Sequence, residues 1–155
     1  MQSEAILNLL VEKDSKGQAA FEEVLAEPLG AGNYRLARSP GFVQGIARGD
    51  VIALDPVDSS KFTVLSRGGM VAIQVLRKGD LDELNRFLSP RFIDLGGSWD
   101  GRSDSILVYS VPVGAGFEAI EKAIADAKQC FGSIEWYYGN VSDTRDGVTP
   151  LRWWE

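Results

Sequence analysis

Apolar positions follow one rule up to about Ser66 and another beyond Met70. In the first stretch they fall in short runs, Ile6–Glu12, Phe21–Ala26, Tyr34–Arg38, Val51–Leu54 and Phe62–Ser66, with turn-forming residues between them. Runs of that length, bounded by Gly, Pro, Asn and Asp, predict strands. Lys13–Gln18 reads as a polar loop, Gly30–Asn33 as a hairpin connection and Asp55–Ser60 as a turn. Glu22 and Glu23 would suit a helix, but Pro28, Gly30 and Gly32 leave little room for one. Ser39–Gly49 carries Pro40, Gly41, Gly45 and Gly49 and reads as an irregular connection. Short strands at such close spacing predict a small barrel or a strongly coiled sheet.

Beyond Gly68–Gly69 the pattern changes. Met70–Leu76 is apolar on nearly every position, as a central strand would be. Asp80, with Glu83 three residues on, predicts a helix start, and Leu81, Leu84, Phe87 and Leu88 form its buried stripe. Pro90 predicts its end, Arg91–Leu95 a strand and Gly96–Ser103 a loop. The pattern then repeats. Ser105–Val113 is a strand, Gly114–Gly116 a turn, and Phe117, Ile120, Ile124, Ala127 and Phe131 recur at helical spacing up to a capping Gly132. Ser133–Tyr138 is the closing strand. The order β-α-β-β-α-β is that of a ferredoxin-like half, with both helices on one face of an antiparallel sheet. The expected fold is therefore α+β: a β-barrel-like half over residues 1–69, a ferredoxin-like half over 70–141, and a tail, 142–155, packed on the body.

Composition narrows the function classes. The chain has 155 residues, 45% hydrophobic and 25% charged, which is ordinary for a globular protein. It has no histidine and one cysteine, Cys130, so a disulfide within the chain is excluded and no imidazole can activate the thiol. Cys130 lies in an apolar helical pattern and is expected to be buried. Met1–Leu10 lacks the basic region of a signal peptide, and no stretch is long and apolar enough to span a membrane, so a cytoplasmic location is expected. A net charge of −6 opposes attraction to nucleic acid or anionic lipid and favours a basic protein partner. Aromatic strands on such a sheet would suit RNA, but Tyr109 is the single aromatic of the two central strands, and the basic consensus is missing.

No residue pattern specifies a reaction, a metal or a cofactor, and no catalytic residue is assigned. Gly114-Ala115-Gly116-Phe117-Glu118-Ala119 has the spacing of a phosphate-binding turn, but Glu118 would repel a phosphate, and a glycine turn feeding a helix explains it. Asp94, Asp100 and Asp104 flank the glycine-containing loop and are candidate binding residues, although their spacing fits no calcium loop. Asp50, Asp55 and Asp58 fit turn roles. Arg35, Arg38 and Arg48 surround the irregular connection and could receive an anion. The remaining candidates are aromatic. Trp136 and Tyr138 share one strand face while Tyr137 takes the other, and with Trp153 and Trp154 they could line a groove or form a contact surface.

The run EVLAEPLGAGNYRLAR at Glu23–Arg38, followed by Ser39-Pro40 and by GIARGDVIAL at Gly45–Leu54, resembles the bacterial DUF4265 family. Glu27, Pro28, Tyr34, Gly49 and Asp50 match its pattern of a hairpin joined to a Gly-Asp strand, ahead of a β/α half. The resemblance implies no activity and carries over no catalytic residue. A non-enzymatic protein-binding module is the expected function, with an immunity-type inhibitor of a basic toxin as its most concrete form. A regulator that binds a small ligand or nucleotide between the two halves is the alternative.

Overall fold

The computed structural model describes residues 4–13 and 16–155, so Asp14 and Ser15 of the expected Lys13–Gln18 loop, and Met1–Ser3 of the N-terminal run, lie outside the described residues. Among the described residues the fold is α+β, with two α-helices and two antiparallel sheets. The first sheet is a meander of β1 (Ala5–Lys13), β2 (Ala19–Gly30), β3 (Asn33–Leu36), β4 (Val51–Leu54) and β5 (Phe62–Ser66), paired in chain order. The β2–β3 hairpin turns on Ala31 (φ 56°) and Gly32 (φ 78°). Two successive left-handed residues give the turn whose twist matches the strands it joins. Leu7, Leu9, Val24, Leu36 and Ile52 fill the core of this sheet, and Val43 and Ile46 complete it from the connection that follows β3.

The second sheet contains β6 (Met70–Leu76), β7 (Ser98–Arg102), β8 (Ile106–Pro112) and β9 (Glu135–Tyr138), in the spatial order β7-β8-β6-β9. Helices α1 (Leu81–Asp94) and α2 (Phe117–Phe131) follow β6 and β8. Both pack on the face that carries Val71, Ile73, Val75, Leu107, Tyr109 and Val111. Asp80 caps α1, its side chain accepting from the backbone N–H groups of Asp82 and Glu83. Leu84, Leu88 and Phe92 supply the buried stripe of α1, and Ile120, Ile124 and Ala127 that of α2.

Four expectations are overturned: the end of the first helix at Pro90, the Arg91–Leu95 strand, the Gly96–Ser103 loop and the burial of Cys130. Arg91–Leu95 is not a strand, because α1 runs through Pro90 to Asp94. A proline inside a helix removes one backbone bond and costs about 3 kcal/mol. Here the extra turn buries Phe92 completely, with its ring 4.8 Å from that of Tyr109, and burial of such a side chain contributes about 1.5–3 kcal/mol. The Arg91 guanidinium also donates to the Phe87 carbonyl, 2.8 Å away, in the turn ahead of the proline. The strand lies instead at Ser98–Arg102, inside the expected loop, where pairing with β8 supplies an order that Ser-Trp-Asp-Gly-Arg does not favour locally. Cys130 is exposed rather than buried, since it sits off the α2 stripe that carries Ile120, Ile124 and Ala127. A thiol-specific reagent added to native protein is therefore expected to label Cys130 fully and fast; labelling only after denaturant is added would contradict this exposure.

Candidate functional site

The face of the second sheet opposite the helices carries Ala72, Gln74, Val108 and Ser110, all buried. Within Ser39–Gly49, the expected irregular connection, the segment Ser39–Arg48 is laid across it as an arm. The Gln74 amide donates to the Pro40 carbonyl at 2.9 Å, the Ser39 and Ser110 hydroxyls meet at 2.6 Å, and the Gly45 N–H donates to the Gly139 carbonyl at 2.7 Å. The Arg48 guanidinium reaches the Ser98 hydroxyl at 2.7 Å. Glu22 grips the arm from the first sheet, its carboxylate accepting from the backbone N–H groups of Gly41, Phe42 and Val43 at 2.7–2.9 Å. The two sheets are thus joined by a polar seam made of one chain segment.

Asp50 and Arg67 hold the second join, where β5 passes into β6. The Asp50 carboxylate is buried and accepts from the N–H groups of Ala47 (3.0 Å) and Gly68 (2.9 Å) and from Arg67 (3.2 Å). Burial raises its pKa, and those hydrogen bonds and the Arg67 charge partly counter the rise. Arg67 also donates to the Gly45 carbonyl at 2.7 Å and stands 5.7 Å from the Trp153 ring, so it touches first sheet, arm and tail together.

The three candidate aspartates part company. Asp94 is exposed at the end of α1, and Asp104 is exposed between β7 and β8. Asp100 sits where the register of β7 shifts and is turned into the seam, accepting from the Ser39 N–H at 2.7 Å and from the hydroxyls of Ser98 and Ser110. Its oxygens serve the join between the sheets. Among the described residues no group of three His, Cys, Asp or Glu side chains is placed to hold a metal ion.

The aromatic candidates do come together. Trp136 and Tyr138 share the helix face of β9 with ring centroids 4.9 Å apart, while Tyr137 faces the arm, beside Gln44. Phe117 stands edge-on to both Tyr138 (5.3 Å) and Trp154 (5.2 Å), and Trp154 in turn meets Trp153 (5.5 Å). Tyr137 is exposed, and the other rings are half-buried. The tail is fixed beneath them. The Trp153 indole donates to the Asn140 carbonyl at 2.8 Å, and the buried Asn140 side chain bonds the β6 backbone at Ala72 and Met70. The Tyr138 hydroxyl donates to Glu121, and burial together with that carboxylate raises its pKa far above the ordinary phenol.

A cavity of about 500 Å³ runs beside β9. Trp136, Tyr137 and Tyr138 form one wall, and Gln44 with Ser142, Asp143, Thr144 and Gly147 forms the other. From Phe117 to the C-terminus the sequence has seven acidic and four basic residues. Asp143 is held down to about 2 by its contacts with Arg145. The candidate arginines lie elsewhere. Arg35 pairs with Glu27 at 3.3 Å, and Arg38 and Arg48 line an open cleft of about 450 Å³ beside β7. The Gly114–Ala119 motif forms a short 3-10 turn over Val113–Ala115, and Gly116 (φ 91°) opens α2, with Glu118 in its first turn. Sequence reasoning missed Glu22, Ser39, Gln74 and Ser110. One signal was available: Gln74 is the single polar side chain in an otherwise apolar central strand.

Geometry of this kind defines a two-sheet α+β protein whose polar seam is committed to structure and whose C-terminal side presents an aromatic cluster and a groove. The family model described as "Domain of unknown function (DUF4265)" matches residues 22–136, and the chain belongs to that family. No curated protein matches the sequence. Among solved structures, the chain is similar in fold to a hypothetical protein from Neisseria gonorrhoeae, with a TM-score of 0.64 and 15% identity over 90% of this chain and 94% of that one. No helix of the described residues is long and apolar enough to cross a membrane.

Proposed function

We propose that the protein is a non-enzymatic protein-binding module that works through the C-terminal side of its second sheet. An immunity-type inhibitor covering a basic toxin is the most concrete form of that reading. The observation that carries it is the meeting of Trp136, Tyr138, Trp153 and Trp154 in one half-buried cluster, with the exposed Glu135 on the same strand as Trp136 and Tyr138. Tryptophan and tyrosine anchors ringed by charge are what interfaces use, because they combine large contact area with few rotatable bonds. The alternative, a small-ligand regulator with its site between the sheets, has less support. The cleft at the seam is about 190 Å³, below the range usual for ligand pockets. In the open cleft beside it, Ser98 and Asp100 are already bonded within the protein.

The same reading includes a finer account of the fold. The strand order β7-β8-β6-β9 and two helices on one face support a ferredoxin-like second half. For the first half, a hydrogen bond of 2.9 Å from the Leu10 N–H to the Ser60 carbonyl draws β1 toward the turn that precedes β5, which supports a barrel-like curl. Separate hydrophobic cores fit a division near residue 69, with the tail from 142 packed on the second core.

Affinity capture from the source organism with wild-type protein and with Trp154→Glu tests the function. One stoichiometric protein partner is expected on the wild type, and at least tenfold less of it on the variant, provided both give the same circular dichroism spectrum. Absence of any stoichiometric partner, or equal recovery on both, would sink the proposal. If the partner is a toxin, its activity should disappear in the one-to-one complex.

A further inference from the structure

Strand β9 is a sheet edge: among the described residues it pairs with β6 and with no strand on its outer side, in the register Ile73↔Tyr138 and Val75↔Trp136. The Gly139 N–H donates to the Ala72 carbonyl, which fixes the alternation. In an antiparallel pair successive residues point their backbone groups inward and outward in turn. Tyr137 and Glu135 therefore bond β6, and the N–H and C=O groups of Trp136 and Tyr138 face away from it. Among the described residues neither outward pair has a backbone partner.

Two other sheet edges, β7 and β1, are protected in ways that β9 is not. Strand β7 is broken by a register shift between Trp99 and Gly101, and β1 gives its Leu10 N–H to Ser60. Bulges and coverage of that kind are how edges avoid pairing with other chains. Strand β9 keeps an unshifted register and has a groove of about 500 Å³ alongside.

We propose that β9 receives an extended, basic segment of a protein partner as an added strand. This rests on the protein-binding reading and names its mode. Outward main-chain groups at Trp136 and Tyr138 would supply the ladder, and the groove would take alternate side chains. Charge selects the occupant. Glu135 is exposed on the strand itself and Glu121 is bonded to Tyr138, while Asp143 in the groove is already paired with Arg145. A second copy of this chain would bring the same carboxylates face to face, whereas lysines or arginines on the incoming strand would be attracted to them.

The probe is an eight-residue peptide that alternates lysine with valine. Controls are its glutamate-for-lysine counterpart and a version with proline at two central positions, which keeps the charge and cannot form a ladder. Binding is read by amide chemical shifts and by hydrogen exchange of the full-length protein. The lysine peptide is expected to shift the Trp136 and Tyr138 amides and slow their exchange at least tenfold. Both controls should bind at least tenfold more weakly, and Glu135→Lys should weaken the lysine peptide severalfold. Three results would overturn the added strand. The first is binding with unchanged exchange at these two amides. The second is protection that rises with protein concentration alone, which would make a second copy the occupant. The third is no binding by any of the three peptides. If wild-type protein nonetheless captures a partner that Trp154→Glu loses, the protein-binding reading stands and only this mode of binding fails.

Discussion

Replacing Gly97 by alanine is expected to lower stability by about 3 kcal/mol, a drop of about 6–12 °C in melting temperature for a chain of this length. Gly97 lies where the end of α1 meets the backbone of β8. Its N–H donates to the Phe92 carbonyl at 2.8 Å, closing the last turn of the helix. A methyl group there would run into the Ser110 carbonyl oxygen and stand 2.9 Å from that of Phe92. Neither neighbour can rotate away, because one is bonded in the sheet and the other in the helix. Helix α1 would have to lift from the strand, which would disturb the Phe92–Tyr109 contact in the core. Gly114→Ala is the control, since a methyl group there meets nothing within 4 Å. Urea unfolding of both variants checks the result. A loss below about 1 kcal/mol at Gly97, within the ordinary range for a point substitution, would show that the helix end can shift freely.

Asp50→Ala is expected to be at least as damaging, about 3–5 kcal/mol, although burial disfavours the charged form of this carboxylate. The two statements are compatible. Burial raises the pKa because the ion has lost water, yet removing the side chain strands three donors that have arranged themselves around it. The N–H groups of Ala47 and Gly68 would lose their acceptor, and Arg67 would keep a half-buried charge without its partner. Asp50→Asn should recover little, because an amide offers one acceptor where the site presents donors to both oxygens. Asp50→Ala combined with Arg67→Met should cost less than the two single losses added together, since the stranded charge is gone. Strict additivity in urea unfolding would show that Asp50 and Arg67 do not act as a pair. The raised pKa has its own sign. Any contribution from this group is greatest when it is protonated, below its ordinary value of 3.8, and diminishes as pH rises through the raised value.

Asp50 also shows how far a sequence can be read. Next to Gly49 it looked like a turn residue, and locally it is one, with its side chain bonding the Ala47 N–H three residues back. Its bond to Gly68 crosses 18 positions and joins the two sheets, and nothing in the local pattern announces that. Asp100 behaves in the same way. Its spacing groups it with Asp94 and Asp104, but of the three Asp100 alone is turned into the seam, because β7 shifts register there. The aromatic candidates were better served. Alternation along β9 put Trp136 and Tyr138 on one side, and the tail brought Trp153 and Trp154 to the same cluster.

The sequence by itself determined the two-part pattern of the chain: strands with turn residues first, then two strand–helix–strand units whose apolar spacing sets which faces are buried. Those features follow from periodicity and turn chemistry, which act over a few residues. Only the tertiary structure decided where α1 ends, that Ser98–Arg102 is a strand, and that the glycine-rich Ser39–Arg48 segment is the arm that joins the sheets. Each depends on a partner distant in sequence: Tyr109 for Phe92, β8 for β7, and Gln74 and Ser110 for the arm. Packing and hydrogen bonds across such distances override local propensity, because burying a side chain or pairing a polar group is worth as much as the preferences they oppose.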